Sequence, residues 1–373
     1  MKTFRFHQTF STFFIFEQIM STEAHIKTYD KHKSLSIATK VFKTIVPLTI
    51  SAGLVVWLFH KADLHRIMQI AQNGVLWGYI AAMMAITVLS HIIRGIRWGI
   101  QLRAAGIPRI SPIAESVSIF GAYALNLVFP FLGEAWRCVY IAKREDVKLS
   151  TVVGTDIGDR ASDAVMILMF IIATSVVARP ALERFLDKYP IGERLTGVAD
   201  SGMLWIWIAL ILGILVALDY IFRKTDLVKG INNSILRMWR GFAVLFHMKG
   251  TGWYIVFTLG IWICYFFENY ICFYAFPFTR ELVYHSSYAW GLVPGLVVFV
   301  FGSCSMAVPS NGGLGPWNLA VMFALTLYGI GENDAATYAL VVWTFQSIIL
   351  IASGIFAAFY IMWNRKRIKQ SSK

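Results

Sequence analysis

The chain has 373 residues, of which 57% are hydrophobic, 15% aromatic and only 15% charged. A soluble globular domain carries about 25% charged residues, and a disordered chain carries few aromatics, so both classes are excluded. The net charge of +13 does not point to nucleic acid, because the basic residues sit at the ends of apolar stretches and in short loops, where membrane topology and anionic lipid place them.

The first 40 residues read as a polar leader on the cytoplasmic side. Its apolar patch 10–16 is too short for a span and is followed by Glu17 rather than by a small-residue cleavage site. Met20 offers an alternative start. Continuous apolar windows follow at 44–59, 74–93, 164–178, 203–222, 252–274 and 336–363, each read as a membrane crossing. Residues 364–373 form a basic tail. Sorted by segment, 27 of the 34 Lys and Arg fall on one side, which the positive-inside rule makes cytoplasmic, together with both termini. The expected location is the cytoplasmic membrane.

Two further apolar regions, 112–136 and 288–330, are broken by Pro and Gly. The first is flanked by basic loops on both sides and, at 25 residues, is too short for two crossings at about 1.5 Å per residue. It is read as a re-entrant helical hairpin. No Lys or Arg occurs between Arg280 and Arg365, so the second region is read as a hairpin entering from the outside, with two full spans as the alternative. Both breaks carry the same spacing, Pro130-x-x-Gly133 and Pro309-x-x-Gly312. Entered from opposite faces, they look like an inverted repeat, and Gly/Pro-broken segments at matching positions point to a transporter's binding site. The expected architecture is all-α: about six full spans within 41–363 plus two re-entrant hairpins, or eight spans if the second hairpin crosses fully.

Three polar groups stand out. Asn126, Glu134, Arg137, Ser310, Asn311 and Asn318 lie at the breaks, where they either line a cavity or serve as caps and turn residues. Asp156, Asp159, Arg160 and Asp163 recur at helical i, i+3, i+4, i+7 spacing, either as a structural ion pair, Arg160 with Asp163, that locks this helix to its neighbours, or as a functional cluster. His91, Arg94 and Arg97 end the second window, with Trp98 as an interface anchor. They serve as ordinary positive-inside residues or as a phosphate site, for which arginine's planar fork is suited. Glu268 and Asn269 are weaker candidates near an outer boundary. The four cysteines lack CxxC spacing and the histidines lack HExxH, so no metal site and no cofactor is expected. No nucleophile with an adjacent base and no GxxxxGK[ST] loop occurs, which excludes ATP hydrolysis within the chain.

Asn126, Pro130, Gly133-Glu134 and Arg137, then Asp159-Arg160-x-x-Asp163, then the Gly-rich stretch from Pro309 to Pro316 carry a resemblance. Over about 41–363 the chain resembles the flippase-like membrane domain of lysylphosphatidylglycerol synthases. Asp159 stands where that family usually has Glu, and Trp317-Asn318 where an acidic residue is common. The resemblance implies movement of an anionic or head-group-modified lipid, or a polyprenyl-phosphate-linked intermediate. Taken with the three polar groups, the expected substrate-binding set is Asn126, Glu134, Arg137, Arg94, Arg97, Asp159, Arg160, Asp163, Asn311 and Asn318. Only about ten residues follow the last window, so the synthases' lysine-transferring activity is not expected. The alternatives are a small membrane transferase acting on a lipid phosphate through Glu134, Asp159 or Asp163, and a non-catalytic partner of a lipid- or glycan-synthesis enzyme.

Overall fold

The computed structural model describes residues 74–107, 110–188 and 248–371, with Leu236 and Trp239 between them. The leader and the windows 44–59 and 203–222 lie outside the described residues. Among the described residues there are ten α-helices, one 3-10 turn and no strand. The protein is a polytopic α-helical membrane protein.

Four helices are long and apolar enough to cross a bilayer: α1 (Trp77–Ala104), α4 (Leu149–Val177), α6 (Thr251–Cys272) and α10 (Glu332–Ser371). Both α1 and α4 run well beyond their apolar windows. The windows stop where charge begins, whereas the helices continue because those charges are buried against one another. On α10, Ile348, Ile351, Ile355, Phe359 and Met362 are exposed and recur at three- and four-residue spacing. That outward apolar row suits a lipid-facing surface.

Between the long helices lie two broken pairs, α2 (Pro112–Asn126) with α3 (Leu132–Arg144) and α8 (Leu292–Ser305) with α9 (Pro316–Thr326). They have 15, 13, 14 and 11 residues, so none reaches the roughly 30 Å of a hydrocarbon core at about 1.5 Å per residue. Local chemistry fixes their ends. Ser111 caps α2, its hydroxyl accepting from the Ala114 N–H at 3.4 Å, with Pro112 in the first turn. Pro316 opens α9, and the Asn318 side chain reaches back to accept the Gly315 N–H at 3.0 Å. The remaining helices are short: α5 (Arg179–Lys188) and α7 (Pro277–Tyr284).

Helix α1 is the hub, packing on α6, α2, α10 and α4. The larger apolar core joins the end of α6 to α8, α9 and α10 through Phe273, Phe276, Val298, Val321, Leu325 and Tyr338. A smaller one joins α1, α2, α3 and α4 through Trp98, Leu102, Ile119, Ile141 and Val152. At the first break α3 presses on α2. A Cβ on Gly133 would lie 1.9 Å from the Ala122 carbonyl oxygen and 2.5 Å from its carbon, backbone atoms that cannot turn aside. Gly133→Ala is therefore expected to destabilise the protein by about 1–3 kcal/mol or more, by overpacking, and to lower the unfolding midpoint in detergent. A midpoint equal to wild type would show that the two helices are not in this contact.

Candidate functional site

The site begins with one face of α1. Thr87, Ser90, His91, Arg94, Arg97, Trp98 and Gln101 are all buried, a polar stripe at helical spacing along an otherwise apolar helix. Two buried arginines need partners, and α4 supplies them. Arg97 donates to Asp159 at 2.6 Å and to Asp163 at 2.9 Å. Arg94 reaches Asp159 at 3.2 Å, pairs with Asp163, and donates to the Tyr265 hydroxyl at 3.1 Å. From α3, Arg137 pairs with Asp156 and meets Asp159 at 3.4 Å. Its guanidinium lies 4.5 Å over the Trp98 ring, a cation–π contact that favours a delocalised cation in a dry site.

Asp159 is thus shared by three arginines and is fully enclosed. An ionised carboxylate is tolerated at such a place only because it is paired and hydrogen-bonded on both oxygens.

The fourth arginine behaves differently. Arg160 turns away from Asp163 and pairs with Glu134 on α3, with the side chains 41% and 22% exposed. Glu134 also accepts from the Asn126 amide nitrogen at 3.0 Å, while the Asn126 amide oxygen accepts the Gly133 N–H at 2.8 Å. Four arginines face four carboxylates here, so the network has no net charge.

Asn126 links this network to the second broken pair. Its backbone carbonyl accepts the Gly312 N–H at 2.9 Å, and the Gly312 carbonyl accepts from the Trp343 indole at 2.9 Å. Gly312 has φ 57° and stands against Leu127, where a side chain would be both strained and crowded. The two breaks touch.

Several expectations are corrected. Arg160 and Asp163 do not pair, because residues 160 and 163 point to opposite neighbours, Glu134 on α3 and the arginines of α1. Arg94 and Arg97 are not anchors at a water boundary; both are buried and paired with the carboxylates of Asp159 and Asp163, each with its Nε left unpartnered. Trp98 is no interface anchor, since it is enclosed and its indole donates to the Thr155 hydroxyl at 3.2 Å. Arg137 is 1% exposed and engaged. Asn318 is a cap, its other side donating to the Ala339 carbonyl at 2.9 Å. Asn311 lies beside the touching breaks with its amide oxygen buried and unpartnered. Three of the arginines counted as cytoplasmic, Arg94, Arg97 and Arg137, are interior groups, and removing them leaves the charge bias with the same sign. Sequence reasoning missed Tyr254 and Tyr265. Tyr254 bonds Ser162 and Gln101 at 2.8 and 3.1 Å, and Tyr265 bonds Arg94; a tyrosine in an aromatic-rich span carries no signal that separates it from a packing residue.

A family model described as the lysylphosphatidylglycerol synthase TM region matches residues 44–354, well over half of the chain. The chain belongs to that family. Its matched region takes in both broken pairs and every residue of the α1–α3–α4 network, so in this member of the lysylphosphatidylglycerol synthase TM family the network is part of the shared domain. No curated protein and no solved structure matches the chain.

Proposed function

We propose that the protein moves a lipid across the cytoplasmic membrane, taking an anionic or head-group-modified lipid at the edge of the ion network. The observation that carries this reading is the Arg160–Glu134 pair, the exposed member of the network, tied through Asn126 to the point where the two breaks touch. Two short helix pairs whose breaks meet are what a pair of re-entrant hairpins entering from opposite faces requires. Backbone breaks at membrane depth belong at a polar cavity rather than against lipid.

In this reading Arg160 takes the lipid phosphate and Glu134, released from its partner, answers a head-group amine or hydroxyl. The arginine fork can hold two phosphate oxygens at once. The buried arginines and aspartates hold α1, α3 and α4 in register, and the zero net charge of the network lets the head group enter by exchanging one pair for another. Family membership supports a lipid-related role in the membrane.

The test is reconstitution of the full chain into liposomes bearing a fluorescent phospholipid, with the outer leaflet bleached by an impermeant reductant. Bleaching beyond the outer half supports transport. Product formation with a donor and no lipid movement would favour the transferase, and copurification with a synthase alone would favour the partner reading. The orientation is tested in parallel with cysteines placed at Lys148, Asn333 and Ser371 in a cysteine-free background. An outside thiol reagent is expected to label position 333 only.

A further inference from the structure

Outside the arginine network, a second buried polar group lies between α1 and α6. Glu268 is 5% exposed and stands opposite Ser90, mid-way along α1. Among the described residues no arginine, lysine or histidine pairs with its carboxyl group. Its partners are the hydroxyls of Ser90, at 2.9 Å, and Thr87.

Counting hydrogens defines what the group holds. The His91 Nδ1 lies 2.6 Å from the Thr87 carbonyl, which can only accept, so Nδ1 carries the hydrogen and cannot take one from Ser90. The Ser90 oxygen is also 2.8 Å from that carbonyl. Ser90 has one hydrogen and two acceptors within reach. If it goes to Thr87, the Ser90–Glu268 contact needs a hydrogen supplied by Glu268. If Glu268 is ionised, the hydrogen turns to the carboxylate, whose donors are then the Ser90 and Thr87 hydroxyls, the second shared with the Met83 carbonyl at 3.0 Å, with no cation in a dry interior, a costly state. The cluster therefore has two arrangements that differ by one proton. His91 supplies the second observation: its Nε2 is buried and has no partner, with the ring edge-on to Tyr123 at 4.1 Å.

We infer that Glu268, with Ser90 and His91, is a proton-binding site inside the membrane, and that lipid movement is coupled to that proton; the coupling rests on the transport reading, the site does not. In the step, the Glu268 O–H bond breaks and the proton leaves to water, with His91 Nε2 as a vacant acceptor on the way. The Ser90 O–H turns from the Thr87 carbonyl to the new carboxylate. Nothing is oxidised. The groups facing Glu268 are few. From α1 there are His91 and Arg94, the latter one turn away and held by Asp159 and Asp163 of α4. From α2 there is Tyr123, and from α10 Tyr338, which donates to the Asn269 carbonyl. On α6 itself Cys264 and Tyr265 lie one turn before and Cys272 one turn after, while α8 meets this part of α6 with Gly295 and Phe299, which do not titrate. Tyr265 joins the two clusters, since it sits on the same α6 face and bonds Arg94. A shift at Glu268 thus reaches the network through both α1 and α6.

The site is tested by infrared difference spectroscopy of the full chain in lipid nanodiscs, titrated from acid to alkaline buffer. The expected result is a protonated-carboxyl carbonyl band that is absent in Glu268→Gln and displaced in Ser90→Ala. A spectrum that is the same in wild type and Glu268→Gln overturns the site. Should Glu268→Gln not fold, the Ser90→Ala variant decides: a displaced band supports the site and an unmoved one overturns it. Coupling is read separately in liposomes, where an imposed pH gradient is expected to change the rate of fluorescent-lipid movement severalfold in wild type and not in Glu268→Gln. Lipid movement indifferent to the gradient in wild type overturns the coupling and leaves transport standing. Absence of lipid movement under every gradient overturns transport and coupling together, and leaves the infrared result to decide the proton site.

Discussion

Replacing Asp159 by Asn is expected to lower stability by about 3–5 kcal/mol, the range for breaking a buried ion pair and stranding its partner. Asp159 is the one carboxylate that three arginines share, through Arg97 at 2.6 Å, Arg94 at 3.2 Å and Arg137 at 3.4 Å. Asn keeps the shape and one acceptor but removes the charge, leaving the three buried arginines, Arg94, Arg97 and Arg137, against two buried carboxylates, Asp156 and Asp163. The loss is read as a lowered unfolding midpoint in detergent. A second variant separates this cause from a general packing defect. Arg97→Leu combined with Asp159→Leu removes one charge of each sign, so the double variant is expected to be less damaged than the sum of its two singles. Strict additivity would show that the two residues are not coupled and that the network is not what holds α1 to α4.

How much of this was readable before the structure depends on the kind of signal. The two broken regions were legible because Pro and Gly interrupt apolar runs at a repeated spacing, a purely local pattern. The clustering of Asp156, Asp159 and Asp163 on one face was also legible, since helical periodicity alone places them together. Their partners were not. Arg94 and Arg97 end an apolar window, and at the end of a window a buried arginine and a topological anchor read alike. Only the three-dimensional approach of α1 to α4 distinguishes them. The same limit hid the exchange of partners: Arg160 and Asp163, three residues apart, lie only about 60° apart around the helix, so spacing alone favours their pairing, and only the positions of α3 and α1 give Arg160 to Glu134 and Asp163 to Arg94 and Arg97. Glu268 shows a related limit: counting along its own helix says nothing of its burial, which comes from α1, against which α6 runs antiparallel with Gln101 near Tyr254 and Ser90 near Glu268.

The Arg160–Glu134 pair should show the opposite balance from Asp159. A partly exposed ion pair contributes roughly 0–1 kcal/mol, so Glu134→Gln and Arg160→Gln are expected to leave the unfolding midpoint close to wild type. Gln preserves the size of Glu134 and can still accept from Asn126, which keeps the break intact. Transport is where the effect should appear: each variant is expected to lower the initial rate of fluorescent-lipid movement at least tenfold, because the phosphate-holding cation or its exchange partner is gone. Arg160→Lys refines the assignment. A lysine keeps the charge but not the two-pronged donor, so partial activity is expected if the group holds a phosphate. A purely structural pair gives no reason for Lys to differ from Gln in transport while all variants fold alike. Full transport by both Gln variants would remove this pair from the substrate path, and loss of folding in both would make it a brace between α3 and α4. The contrast between the two experiments is itself informative. The residue buried deepest should govern whether the helices stay together, and the exposed pair beside it should govern what passes between them.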